Sequence, residues 1–133
     1  MKITFLGHAT LEIQINEFNL LVDPFISGNP MASNVDLDDL KPDFILITHA
    51  HQDHTLDVEK LAKDNNSLII SNFEIVSHFQ NMGLNGHPMN HGGKWNFDFG
   101  ELKYVNAIHT STFPDGSNGG QPGGFIITSN NKS

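Results

Sequence analysis

Phe44-Ile45-Leu46-Ile47 is a run of four consecutive apolar residues, and it restricts the fold more than any other segment. Side chains alternate across a strand, so a strand that is apolar at every position has to be covered on both faces. Leu68-Ile69-Ile70 has the same character. Each run is followed by helical spacing. Leu56, Val58, Leu61 and Ala62 make one apolar stripe, with Asp57 and Glu59 early and Lys60 and Lys63 late, as the helix dipole favours. Phe73, Val76, Phe79 and Met82 make another within residues 72–82. The expected arrangement is α/β: a mixed β-sheet with strands over 43–48 and 67–71 inside it and both helices on one face.

Strand patterns flank this unit. Residues 2–7 form a short apolar strand. Over 10–15, Leu11, Ile13 and Ile15 alternate with Glu12 and Gln14, and residues 18–22 return as a hairpin partner ending at Asp23-Pro24. Residues 26–35 read as a loop, as do 49–54 and the Gly-, Asn- and His-rich stretch before Lys94. Trp95, Phe97 and Phe99 alternate over 94–99, Gly100-Glu101 reads as a turn, and strands follow over 102–108 and 124–128. No internal repeat or domain boundary is visible, so 1–133 is one unit.

Composition narrows the function. The formal charge is −8, with seven Lys and no Arg. Nucleic-acid binding draws on a basic face and on Arg forks for phosphate, so neither nucleic acid nor an anionic membrane surface is an expected partner. The absence of cysteine excludes disulfides, thiolate metal sites and Cys nucleophiles. The start of the chain does not read as a signal peptide, no stretch approaches membrane-spanning length, and a cytoplasmic location is the default expectation.

The chemistry concentrates in Thr48-His49-Ala50-His51-Gln52-Asp53-His54-Thr55, directly after the buried strand. Any one of these residues could be an exposed loop residue. Four metal-competent side chains within six positions, in the register His-x-His-x-Asp-His, form a metal site. In extended backbone His49 and His51 point to the same side and can meet one cation. Asp53 and His54 stand where the chain turns into the helix and can reach a second, in a pair of cations spaced roughly 3.5–4 Å apart.

This loop resembles the signature of the metallo-β-lactamase superfamily. Three more segments resemble a branch of it made of bacterial metal-dependent hydrolases related to sugar-acid lactonases. They are Phe5-Leu6-Gly7-His8-Ala9-Thr10, Leu21-Val22-Asp23-Pro24-Phe25 and the stretch from Gly92 to Gly100. The resemblance implies that His49 and His51 bind a first metal while Asp53 and His54 bind a second. It also implies a third imidazole for the first metal, matched here by His109 at the tip of the 102–108 strand. On spacing alone, a lone His at a strand end reads as a surface residue. Three imidazoles and an open position suit a hydrolytic zinc site, whose water has a pKa near ~7. Asp53 could orient that water and take its proton. The implied activity is hydrolysis of a small-molecule lactone, ester, amide or phosphoester by a metal-bound hydroxide, with one or two divalent ions, zinc first among them.

The family pattern also contains a bridging Asp and a final His, and neither follows His109; Asp115, in Pro114-Asp115-Gly116-Ser117, is a turn residue. The chain therefore corresponds to the first half of a four-layer αβ/βα fold, and a truncated enzyme is the expectation. The inner sheet face should then be an apolar patch that favours homo-oligomers. Metal binding without turnover is the alternative function. A nuclease is disfavoured by charge, and an oxygen-reducing di-iron relative by His51, where a carboxylate would suit iron better. Asp23 reads equally as a strand-ending turn residue and as a support of the metal loop from behind, and the resemblance implies the second. His8 reads equally as a pocket or a turn residue, His78 as surface, and His87 and His91 as loop.

Overall fold

Alternating strands that follow one another closely pair as a meander. In the computed structural model, which describes residues 1–129, β1 (Lys2–Gly7), β2 (Thr10–Ile15) and β3 (Phe18–Val22) are antiparallel neighbours. From β3 the sheet continues in parallel through β4 (Phe44–Leu46), β5 (Leu68–Ser71) and β6 (Gly86–Pro88), giving the order β1-β2-β3-β4-β5-β6. Parallel neighbours need crossovers. The β3–β4 crossover holds two short 3-10 turns (Pro30–Ala32 and Leu37–Asp39), the β4–β5 crossover carries α1 (Gln52–Thr55) and α2 (Val58–Asn65), and the β5–β6 crossover carries α3 (Phe73–Gln80).

The two faces of β4 and β5 bury against different partners. Ile45, Ile47 and Ile69 meet Val58, Leu61 and Ala62 of α2 and Ile75 and Phe79 of α3, so both helices lie on one face. Phe44, Leu46 and Ile70 point the other way and meet Phe99, Leu102 and Tyr104 of a second, antiparallel sheet. That sheet has the order β7 (Lys94–Phe97), β8 (Gly100–Asn106), β9 (Gly123–Thr128). Ile45, Leu46 and Ile47 have no exposed surface, and full burial of such a side chain stabilises by roughly 1.5–3 kcal/mol. The strand that delivers the motif is therefore held firmly in the middle of the sheet, as is β5, where Ile69 and Ile70 are equally buried. Among the described residues no helix is long and apolar enough to cross a membrane.

Several boundaries differ from expectation. β4 is shorter than 43–48, although Asp43 N–H still bonds Asn19 and Ile47 N–H bonds Ile70, continuing the pattern past its ends. The His-rich loop contains β6, held by backbone pairing to β5 rather than by an apolar pattern of its own. The β7–β8 turn is Asp98-Phe99, not Gly100-Glu101, because Phe99 is drawn under the ring of Phe44. β8 ends at Asn106, so His109 lies in the loop beyond a strand and not at its tip. The inner sheet face is also not left open as expected: β7–β9 cover it over β3, β4 and β5. What stays uncovered is a strip on β1, Ile3 at 58% and Phe5 at 66% exposure, opposite Ile13 and Leu11 on that same face.

Candidate metal centre

The parallel register of β3 and β4 sets Val22 beside Leu46, so the residues leaving the two strands emerge together. Asp23 is buried, adopts φ +45°, and turns its carboxylate onto the neighbouring loop. Its Oδ1 accepts from Thr48 N–H at 2.8 Å, while Oδ2 accepts from Thr48 Oγ1–H at 2.7 Å and lies 2.9 Å from His54 Nδ1. One carboxylate thus anchors both ends of the motif, as expected for Asp23. Asp57 acts in a similar way on the loop after β3. Its Oδ2 accepts from the N–H groups of Ile26 at 2.6 Å and Ser27 at 3.0 Å, which pins that loop in place.

These bonds fix which imidazole nitrogens face the cleft. Thr48 Oγ1 gives its proton to Asp23, so it accepts from His49 Nδ1, 2.9 Å away, and the lone pair of a neutral His49 is on Nε2. Nε2 of His51 lies 3.3 Å from Thr110 Oγ1, which leaves Nδ1 turned inward. His49 Nε2 and His51 Nδ1 are 3.1 Å apart. Two imidazole lone pairs at that distance repel unless a proton or a cation lies between them, so the arrangement fits a metal. The His109 ring closes the group, its centroid 4.6 Å from that of His49 and 5.2 Å from that of His51. One nitrogen from each of the three lies within 4.8 Å of the others.

A second group adjoins the first. Asp23 holds His54 Nδ1, which leaves Nε2 free toward Asp53 Oδ2 at 3.9 Å. His8 Nε2 stands 2.9 Å from that same oxygen. The two groups share a wall, since the His49 and His54 ring centroids are 4.0 Å apart. Burial, and then the charge on His54, pushes the His49 pKa down to about 4. The ring is therefore neutral at pH 7, the state a ligand requires. Burial alone would raise the Asp53 carboxyl. His54, a backbone hydrogen bond and His8 together hold it below its ordinary value, so it is an anion.

His109 reaches the site because its loop is stitched down on both sides. Ser111 Oγ accepts from Ala50 N–H at 3.1 Å and donates to Gly119 O at 2.9 Å. Asn72 Oδ1 caps α3 through Ile75 N–H, and Asn72 Nδ2 donates to the carbonyls of Gly119 and Gln121. Phe113 is buried beside Phe79 and stacks on His78, which is therefore a packing residue and not a free surface one.

All five residues singled out in the sequence, His49, His51, Asp53, His54 and His109, meet here. His87 lies elsewhere, against Trp95 and Phe97, and His91 is bonded to the Pro122 carbonyl. Asp115 is a turn residue, accepting from the backbone and hydroxyl of Ser117. The supporting roles of Thr48, Asn72, Ser111 and Gly119 had no sequence pattern to announce them, because each depends on a contact across the fold.

Residues 2–133 match the model of a beta-lactamase superfamily domain. The chain belongs to the beta-lactamase superfamily. It is 59% identical over 132 residues to a protein of Flavobacterium johnsoniae named UPF0173 metal-dependent hydrolase, covering 99% of this chain and 59% of that one. A protein of the same name from Methylacidiphilum infernorum is 48% identical over 128 residues, covering 96% and 57%. Among solved structures, the metallo hydrolase Igni18 of Ignicoccus hospitalis superposes with a TM-score of 0.83 at 28% identity, over 98% of this chain and 56% of that one. The isothiocyanate hydrolase from Delia radicum gut bacteria shares the fold, with a TM-score of 0.75 at 23% identity over 98% and 59% of the chains. The chain therefore spans a little over half the length of the relatives it matches.

Proposed function

We propose that this chain carries the metal-binding region of a metal-dependent hydrolase. His49, His51 and His109 would hold a first divalent cation, and Asp53 and His54 a second. The observation that carries this reading is the inward convergence of His49 Nε2 and His51 Nδ1, with their other nitrogens already engaged by Thr48 and Thr110. Names borne by the relatives, metal-dependent hydrolase and metallo hydrolase, point the same way.

A bound divalent ion supplies a water acidic enough to react near pH 7 and polarises the oxygen under attack. This chain's residues do the positioning. Asp23, through Thr48 and His54, fixes the rings that face the cleft. Asp53 is an anion at the cleft mouth, its side chain 47% exposed, and can accept a proton from a water beside it. The donor set, all imidazole and carboxylate, suits zinc better than magnesium. The substrate is a small molecule with a lactone, ester, amide or phosphoester bond, since a charge of −8 without Arg gives a nucleic acid no track.

The test is a panel of those four bond types, assayed with the zinc-loaded chain and after chelation. The expected result is slow turnover, since two ligands of the family pattern do not follow His109; chelation should abolish it, zinc restore it, and Asp53→Asn lower it by at least a further ~100-fold, as loss of a general base does. Hydrolysis that persists after chelation would sink the proposal.

A further inference from the structure

The chain makes an unusual turn to bring His8 into the centre. β1 and β2 pair regularly through Phe5 and Leu11, and the register then slips before Gly7 meets Thr10. At that slip Gly7 has φ +107° and His8 has φ +53°. Glycine adopts such a conformation freely, but a histidine does so uncommonly and stays there only when its surroundings fix it. Two rings do so here, those of Phe25 and His54, both edge-on to His8 with centroids 5.7 and 5.1 Å away.

The turn aims His8 Nε2 at Asp53 Oδ2. Donor atoms of His8, Asp53 and His54 all lie within 4.8 Å of one another, as those of His49, His51 and His109 do. The closest pairs are also alike, 2.9 Å between His8 Nε2 and Asp53 Oδ2 against 3.1 Å between His49 Nε2 and His51 Nδ1. We propose that His8 is a ligand of the second cation, making with Asp53 and His54 a three-donor site built from this chain alone. The inference deepens the reading of the cluster as a metal centre and rests on it. Two imidazoles, one carboxylate and an open fourth position form a set that zinc accepts in catalytic sites.

The rival is that His8 only hydrogen-bonds Asp53. His8→Gln separates the two, since its amide can still donate to the carboxylate but is a poor zinc ligand. His8→Asn also tolerates the left-handed backbone but is too short to reach. The chain, labelled with nitrogen-15 in histidine, is titrated with isotope-enriched cadmium and followed by NMR. Ligation gives a scalar coupling between cadmium and His8 Nε2. Both variants should then weaken the second cadmium by more than ~100-fold, beyond the ~10–100-fold that loss of a ligand's hydrogen-bond partner costs. Binding at the first site should stay unchanged. A second cadmium bound without coupling to His8, or bound as tightly in His8→Gln, overturns this inference and leaves the metal reading intact. Failure of cadmium to couple to His49, His51 or His109 overturns both.

Discussion

Asp23 shows how one side chain can organise two donor groups. Its carboxylate holds Thr48, which sets the tautomer of His49, and holds His54 directly. Asp23→Asn keeps the shape and tolerates the positive φ. It replaces one acceptor oxygen with a donor, so either Thr48 or His54 loses its anchor. The expected outcome is a ~10–100-fold loss of cation affinity, read by calorimetric zinc titration of a protein that still folds. Unchanged affinity would show that Asp23 is only a turn residue. His49 gives a second expectation. Its folded pKa, about 4, is below that of an unfolded His, so the unfolded chain binds the extra proton. Metal-free stability should therefore be full above about pH 6.5 and decline as pH falls toward about 4, by up to ~2–3 kcal/mol. Urea unfolding across that range measures it, and His49→Asn should flatten the slope.

At the level of elements, the site depends on a loop that local sequence does not specify. The motif strand was legible because burial on both faces leaves an unbroken apolar run, and the His-x-His spacing can be read within one loop. The packing of residues 107–122 was not legible. Their Gly, Ser, Thr and Asn give no period, and their order comes from Asn72 and Ala50 outside the stretch and from the Ser111–Gly119 bond within it. Gly119 is the tightest point. A Cβ there would lie 2.3 Å from Ala50 Cβ and 2.4 Å from Ser111 Oγ. Gly119→Ala should push the loop off the motif, cost at least ~1–3 kcal/mol in overpacking, and weaken the first cation site by displacing His109. Thermal melts with and without zinc should show a smaller zinc-induced stabilisation than in the unaltered chain. An equal stabilisation would mean that His109 is held by something else.

For the whole molecule, the helix–sheet half of the fold followed from pattern, whereas the second sheet's placement did not. Three short alternating strands indicate that one face is buried, but not what they bury it against. Because β7–β9 cover most of the inner face, the apolar surface left on that face for self-association is the Ile3–Phe5 strip, and the outer edge of β9 is a second candidate surface. Among the described residues that edge has no strand partner. Sedimentation should detect association that Ile3→Lys with Phe5→Lys abolishes. A monomer at all concentrations would show that the strip drives none. Two donor groups sharing one wall remain the central claim, and metal stoichiometry tests it most directly. After dialysis against zinc, the chain should hold between one and two equivalents, the first more tightly. Replacing His49, His51 and His109 together should remove the tight equivalent, while replacing Asp53 and His54 should remove only the weaker one. A chain that takes up no zinc, or the same zinc after both sets of replacements, would contradict it.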